Sequence, residues 1–166
     1  SQNAFINSLS AKKTYVKNWN FQKDEVKHTV TVKLNGKSRK DIKPKRISYI
    51  TEDVGYWRKA NQIHNWFVEN VQDGRDECQE SYVSLEKLTE LRDLCKEVIR
   101  YKNSEFNNDN LPTSSGFFFG GTDYDEYYYE DCKDTIKIID TILKEEEIVS
   151  NAEDIYSGEY YYQASW

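Results

Sequence analysis

The most regular pattern in the chain is an alternation of apolar and polar residues over 26–34, followed directly by Asn35 and Gly36. A period of two is the spacing of a half-buried β-strand, and an Asn-Gly pair favours the type I′ turn of a hairpin. Residues 37–42 are almost wholly polar, which is typical of an edge strand. We therefore predict a β-hairpin here, and a less regular strand at residues 14–19 before it.

Two segments then repeat apolar residues at helical spacing. The first begins at Thr51, a helix-capping residue type, and reaches Gly74, a common stop signal. Its predicted inward stripe is Val54, Trp57, Ala60, Asn61, His64, Phe67 and Val71. The second helix begins after Ser84, and its stripe is Leu85, Leu88, Leu91, Cys95, Val98 and Ile99. Residues 103–115 are interpreted as a polar loop.

A third helix is predicted to begin at Thr122, with Asp125 at the acidic position of a capping box. Its predicted inward residues are Tyr124, Tyr128, Cys132, Thr135, Ile139 and Ile142. Residues 160–163 are rich in strand formers and are expected to join the N-terminal sheet. Together these elements predict an α+β fold, in which a small antiparallel sheet (the N-terminal hairpin plus the C-terminal strand) packs on three helices.

Composition supports a folded chain with an aromatic core. Aromatic residues make up 14% of the chain and charged residues 31%. A length of 166 residues is typical of one domain, and we expect a single domain that spans 1–166. The three cysteines form no CxxC pair, so reduced thiols are expected. Because no apolar run approaches eighteen residues, no membrane-spanning helix is expected.

The net charge of −6 is distributed unevenly along the chain. Residues 1–50 carry twelve Lys and Arg against three Asp and Glu, a balance of +9, whereas residues 51–166 carry eleven against twenty-six, a balance of −15. Within the basic half, Lys37, Arg39, Lys40 and Lys43 could contact nucleic acid or an acidic protein. The same cations could equally serve as an edge that resists aggregation. Such asymmetry concerns partners and association, and both interpretations remain open.

The segment "SSGFFFGGTDYDEYYYEDC", residues 114–132, also allows two interpretations. As a ligand platform, it would use glycines for close backbone approach and aromatic rings for stacking or anchoring. The residues assigned to this role are Phe118, Gly120, Gly121, Tyr124 and Tyr127. As a structural segment, it would be an apolar turn followed by a capped helix. We favour the structural interpretation, because the segment carries no phosphate-loop motif.

The segment "YWRKANQIHNWF" supplies the remaining candidates. A cationic, hydrogen-bonding face for a nucleotide or phosphorylated ligand could be formed here by Arg58, Lys59, Asn61 and His64. Catalysis would require His64 to lie beside an acid such as Asp123 or Asp125, and a hydrogen-bonded core histidine is the more common arrangement. We therefore lean towards a protein without catalytic residues. The acids of "DGRDECQE" lack EF-hand spacing, so neither a metal site nor a cofactor is expected.

Long blocks of the chain resemble a widespread family of small, uncharacterised proteins of bacteriophages, prophages and other mobile elements. The resemblance lies in "YWRKANQIHNWFVENVQDG", "LPTSSGFFFGGTDYDEYYYEDCKDT" and the terminal "YYYQASW", among other blocks. It implies an accessory protein of the bacterial host cytoplasm that counters host defence. Such a protein would bind a nucleic-acid-handling defence protein, as an inhibitor of a CRISPR nuclease does. The alternative function is the binding and sequestering of a nucleotide signal.

Overall fold

The structure is a computed structural model that describes residues 12–16, 33–41, 43, 46, 49–115, 121–150 and 159–165. The predicted α+β class is confirmed, with helices and antiparallel strand pairs in the described residues. The strands are β1 (Lys12–Val16), β2 (Lys33–Leu34), β3 (Lys37–Ser38), β4 (Tyr49–Asp53), β5 (Ser81–Val83) and β6 (Tyr160–Tyr162). The helices are α1 (Asn61–Asn70), α2 (Leu85–Tyr101), α3 (Ser104–Asn110) and α4 (Glu126–Ser150).

In the described part of the chain the strands form three antiparallel pairs, in which β1 pairs with β4, β2 with β3, and β5 with β6. The expectation that the C-terminal strand joins the N-terminal hairpin is wrong, because β6 pairs with β5 instead. In this pair Val83 lies opposite Tyr160, and both side chains are buried in the main core. Burial of these side chains favours pairing with β5 over pairing with the exposed, charged β3.

The Asn35-Gly36 turn of the hairpin is confirmed, since both residues have the positive φ that a type I′ turn requires (50° and 80°). The returning strand is shorter than predicted and ends at Ser38. Beyond it, Arg39 and Asp41 form a local side-chain pair, and Lys40 lies in a turn. Residues 17–19, 26–32 and 42 of the predicted strands lie outside the described residues.

Helix α1 begins at Asn61, so the prediction of a helix from Thr51 onward is wrong. Residues 51–53 belong to β4, where they pair with β1. Lys59 has a φ of 55°, a left-handed conformation that cannot continue a right-handed helix. The predicted burial is nevertheless correct for Trp57, which lies in the core ahead of the helix.

Of the other helices, α2 begins where the sequence predicts, α3 was not predicted, and α4 begins later than predicted. Helix α2 begins after Ser84, whose side chain accepts a hydrogen bond from the Lys87 amide (3.2 Å) as an N-cap. The predicted polar loop contains α3, which Asn103 caps in the same way. The N-cap of α4 is Asp125 rather than Thr122, because Asp125 Oδ1 accepts from the amide of Tyr128 (3.1 Å). An acid at this position also interacts favourably with the helix dipole.

The core lies mainly between α2 and α4, with α1 and the C-terminal strand closing it. The ring of Phe67 stacks on that of Tyr162, with centroids 4.0 Å apart. Buried cysteines on α2 and α4 are free thiols, as is Cys78. No helix within the described part of the chain combines the length and apolar character needed to cross a membrane.

Candidate functional site

A cleft of about 220 Å³ lies where the segment before α1 meets the beginning of α4. We call it the Arg58 cleft, and it brings together residues that are about sixty positions apart in sequence. Its lining consists of Arg58, Lys59, Asn61, Gln62, Gly121, Asp123, Asp125, Tyr127, Tyr128 and Asp131.

Hydrogen bonds attach both the segment before α1 and the first turn of α1 to α4, and so hold the cleft in shape. Trp57 Nε1 donates to Thr135 Oγ1 (2.6 Å), and Gln62 Nε2 donates to the carbonyl oxygen of Tyr128 (3.1 Å). Residues 57–62 therefore lie along one face of α4. All four of these side chains are buried, which gives the cleft a rigid wall.

Asn61 fixes the rim of the cleft through both ends of its side-chain amide. Its Nδ2 donates to the carbonyl oxygen of Gly121 (2.9 Å), and its Oδ1 accepts from the amide of Ser114 (3.0 Å). A further bond joins Thr113 to the carbonyl oxygen of Thr122 (2.8 Å). These bonds fix the chain on both sides of residues 116–120. Residues 116–120, which include the candidates Phe118 and Gly120, lie outside the described residues.

The cleft carries opposite charges that do not pair with each other. Arg58 is exposed and Lys59 half-buried on one side, and three aspartates lie on the α4 side. Among the described residues, neither cation forms an ion pair with Asp123, Asp125 or Asp131. The charges therefore remain available to a third group.

Asp131 is the aspartate whose environment most opposes its charge. Burial raises its pKa to about 6, with Asp134 as the next contribution, and a hydrogen bond from Gln62 offsets part of the effect. A perturbed carboxyl group in a cleft is a common property of functional sites. Sequence analysis did not identify Asp131 as a site residue. The sequence signal that could have identified it is its position between Tyr128 and Thr135, beside the inward stripe of α4.

The two candidate tyrosines differ in position. The side chain of Tyr127 is 81% exposed and lies at the mouth of the cleft. Tyr124 does not line the cleft, because its ring packs edge-on against that of Tyr128 (centroids 4.9 Å apart) and its hydroxyl donates to Asn108 Oδ1 (3.2 Å). Gly121 lines the cleft through its backbone, where its carbonyl oxygen is already bonded.

His64 lies in a different environment, with both ring nitrogens occupied. Nδ1 bonds the hydroxyl of Tyr162, and Nε2 lies 2.9 Å from Asp76 Oδ1. The His64 residue is only 4% exposed, and burial lowers its pKa despite the opposing effect of Asp76. The pairing with Asp123 or Asp125 that hydrolysis would require is absent from the described residues. The predicted location of His64 in the core is confirmed.

Two further regions of the protein carry charged side chains, the hairpin and a second cavity. The hairpin residues Lys37, Arg39, Lys40 and Lys43 are exposed. Arg39 makes two bonds to Asp41 (2.8 and 2.5 Å), which compensate one of these cations. A second, more open cavity of about 480 Å³ lies between Glu52, Asp53 and Glu145. Across the described ranges, no cluster of three or more His, Cys, Asp or Glu residues is arranged to hold a metal ion.

No family model matches the chain, and neither a curated protein nor a solved structure does so.

Proposed function

We propose that this chain is a non-catalytic binding protein that inhibits a nucleic-acid-handling protein of a bacterial host on behalf of a phage or other mobile element. The observation that carries the proposal is the acidic head of α4. This surface is formed by the exposed side chains of Asp123, Asp125, Glu126, Glu130 and Asp134, with Tyr127 among them.

The acidic head has the chemistry of a surface that meets a basic groove. Proteins that handle nucleic acids present Lys and Arg to phosphates, and a row of carboxylates can occupy the same groove. Residues 121–134 contain a single cation, Lys133, which pairs with Glu130 (3.4 Å). Tyr127 adds a large exposed ring of the kind that anchors protein interfaces. Together these features favour a basic protein partner.

Nucleotide binding is the second candidate, because Arg58 and Lys59 line the same cleft as Gly121 and Tyr127. Two features weaken it. The cleft volume of about 220 Å³ is below the roughly 300 to 1,000 Å³ of pockets that enclose small-molecule ligands. Three aspartates also share the cleft with the two cations, and they repel a phosphate.

Affinity purification from a bacterial lysate, followed by calorimetry with the purified partner at rising salt, tests the proposal. We expect saturable binding that weakens as salt screens the charges. Tyr127→Ala should weaken binding at least about tenfold, as expected for an interface anchor. Tyr82→Ala is the matched control, since Tyr82 is also well exposed (59%) but lies on β5.

The proposal is wrong if no saturable partner is found at low salt, or if the two tyrosine variants bind equally well. The second candidate has its own measurement, a thermal-shift panel of nucleotides. A nucleotide at 100 times its Kd stabilises a folded protein by about 2.7 kcal/mol, which such a panel detects readily. A panel without any shift excludes nucleotide binding in that affinity range.

A further inference from the structure

Opposite charges that share a cleft without pairing form a chemically specific arrangement. Arg58 and Lys59 precede α1, whereas Asp123, Asp125 and Asp131 lie at the beginning of α4. The bonds of Trp57, Asn61 and Gln62 to residues on the other side fix the separation of these two groups. A guest that carries a negative and a positive group could satisfy both sides at once.

We propose that the Arg58 cleft binds a small zwitterion of the α-amino acid class. The guest carboxylate is bound by Arg58 and Lys59, and the guest ammonium group by Asp131 together with Asp123 and Asp125. The inference goes beyond the proposed function, since it concerns a small-molecule site and requires no protein partner.

The size and charge of the cleft favour this class over the other small ligands. At about 30 Å³ per water molecule, the volume of about 220 Å³ corresponds to roughly seven waters, which is the scale of an amino acid. A phosphate would face three carboxylates. A metal ion would face two cations, and no set of metal ligands is present among the described residues. A zwitterion has one favourable contact for each kind of charge.

The polar groups around the cleft have complementary roles. A guanidinium group binds a carboxylate through two parallel hydrogen bonds, so Arg58 is the natural carboxylate anchor. The half-buried Asp131 is the strongest ammonium acceptor, because partial burial reduces screening by water. The exposed ring of Tyr127 at the mouth can cover the guest or stack on its side chain.

The pH dependence of binding gives an independent signature. The charged groups facing Asp131 are Arg58 and Lys59 from the segment before α1, Asp123 and Asp125 from the turn before α4, and Glu130 and Asp134 on α4 itself. Burial, with Asp134 next, raises the pKa of Asp131 to about 6, so its carboxyl group is largely protonated at pH 5 and ionised at pH 7. An amino acid keeps both charges over this range, and its affinity should therefore rise several-fold from pH 5 to pH 7.

The test is a titration of the full chain with each free α-amino acid at up to 10 mM, followed by heteronuclear NMR. We expect one or a few amino acids to shift the backbone signals of Gly121 and Asp131 saturably. Two analogues of each active amino acid serve as probes: the N-acetyl derivative lacks the ammonium charge, and the carboxamide lacks the carboxylate. Both should bind at least about tenfold more weakly, as should AMP.

Two variants test the assignment of roles. Arg58→Gln should weaken the binding of the amino acid without affecting the carboxamide, and Asp131→Asn should weaken binding and remove its pH dependence. Arg75→Gln, which changes an exposed arginine outside the cleft, should bind as the wild type does. The inference is overturned if no amino acid shifts these signals, if the N-acetyl derivative binds equally well, or if the affinity is the same at pH 5 and pH 7. None of these outcomes bears on the protein partner tested with Tyr127.

Discussion

Two polar regions share the first turn of α1, through His64 in one and through Asn61 and Gln62 in the other, and they differ in how their polar groups are paired. Around His64, Asp76 and Tyr162, both imidazole nitrogens have partners within the protein. In the Arg58 cleft, charged side chains of both signs line one cavity, and they form no ion pair with one another among the described residues. The first region is closed to solvent at the ring of His64, whereas the second opens to it.

We interpret this difference as one between polar groups that stabilise the fold and polar groups that are available to a ligand. A buried polar group with all its bonds made contributes to stability, and removal of one partner leaves the other unsatisfied. A charge that is kept in a cleft without an ion-pair partner lowers stability and is instead available for binding. The sequence made His64 a catalytic candidate but favoured a hydrogen-bonded core histidine, and its burial and contacts agree with the core position. Asp131 was not a candidate from the sequence, yet it is half-buried and lines the Arg58 cleft.

The largest effect is expected from His64→Ala. The change removes a buried side chain and leaves the buried hydroxyl of Tyr162 without its partner, which together should lower the free energy of unfolding by about 3 kcal/mol. Urea unfolding measures this change. Arg58→Ala is the control from the other region, and because Arg58 is exposed it should alter stability by less than about 0.5 kcal/mol. Similar losses for the two variants would contradict the distinction.

A second prediction concerns the segment that supports the cleft. A Cβ at Gly55 would lie 2.7 Å from Ile138 Cγ2 on α4, closer than van der Waals contact permits. Gly55→Ala should therefore lower the free energy of unfolding by about 1 to 3 kcal/mol through overpacking. Gly121→Ala is the matched control, because nothing lies within 4 Å of its added Cβ. An unchanged urea midpoint for Gly55→Ala would show that this segment does not pack tightly on α4.

The two regions should also respond oppositely to pH. Burial lowers the pKa of His64 below its ordinary 6.5. Between the lowered pKa and 6.5 the unfolded state is protonated at this residue and the folded state is not, so the free energy of unfolding falls on acidification. Burial raises the pKa of Asp131 from 3.8 to about 6, so below pH 6 the folded state binds the proton first, and stability is gained.

Urea midpoints of the wild type, His64→Gln and Asp131→Asn between pH 4 and pH 7.5 separate these contributions. At pH 7.5 His64→Gln should be less stable than the wild type. This difference in stability should shrink on acidification, because the wild type loses the stability that depends on a neutral His64. Asp131→Asn should exceed the wild type at pH 7.5 and lose this advantage towards pH 4. Parallel curves for all three proteins would contradict the assigned pKa directions.

Short-range sequence signals predicted much of the fold. The Asn35-Gly36 turn, the Ser84 cap and the inward stripe of α4 depend on residues within one or two turns, and the structure confirms them. The predicted start of the first helix at Thr51 was wrong for two reasons. Residues 51–53 are held in β4 by pairing with β1, and the left-handed conformation of Lys59 interrupts the segment. Neither feature is visible in a local periodicity.

The cleft was predictable only in part. Arg58, Lys59, Gly121 and Tyr127 were each candidates from sequence, and the structure brings them to one cavity. Asp131 was not, because a flanking position on a helix is indistinguishable from a solvated one until residues 57–62 are docked against it. Long-range contacts of this kind carry the information that helical periodicity lacks.

The most direct test of the account is the stability of Asp131→Asn at pH 7.5. If the carboxylate is kept charged in the cleft at a cost to the fold, the amide should be the more stable side chain, because it retains the size and removes the charge. Allowing for partial exposure, we expect the free energy of unfolding to rise by about 1 kcal/mol. A fall in stability would show that interactions within the protein, including the hydrogen bond from Gln62, outweigh the cost of burying the charge of Asp131, and it would contradict the proposal that the cleft binds a ligand.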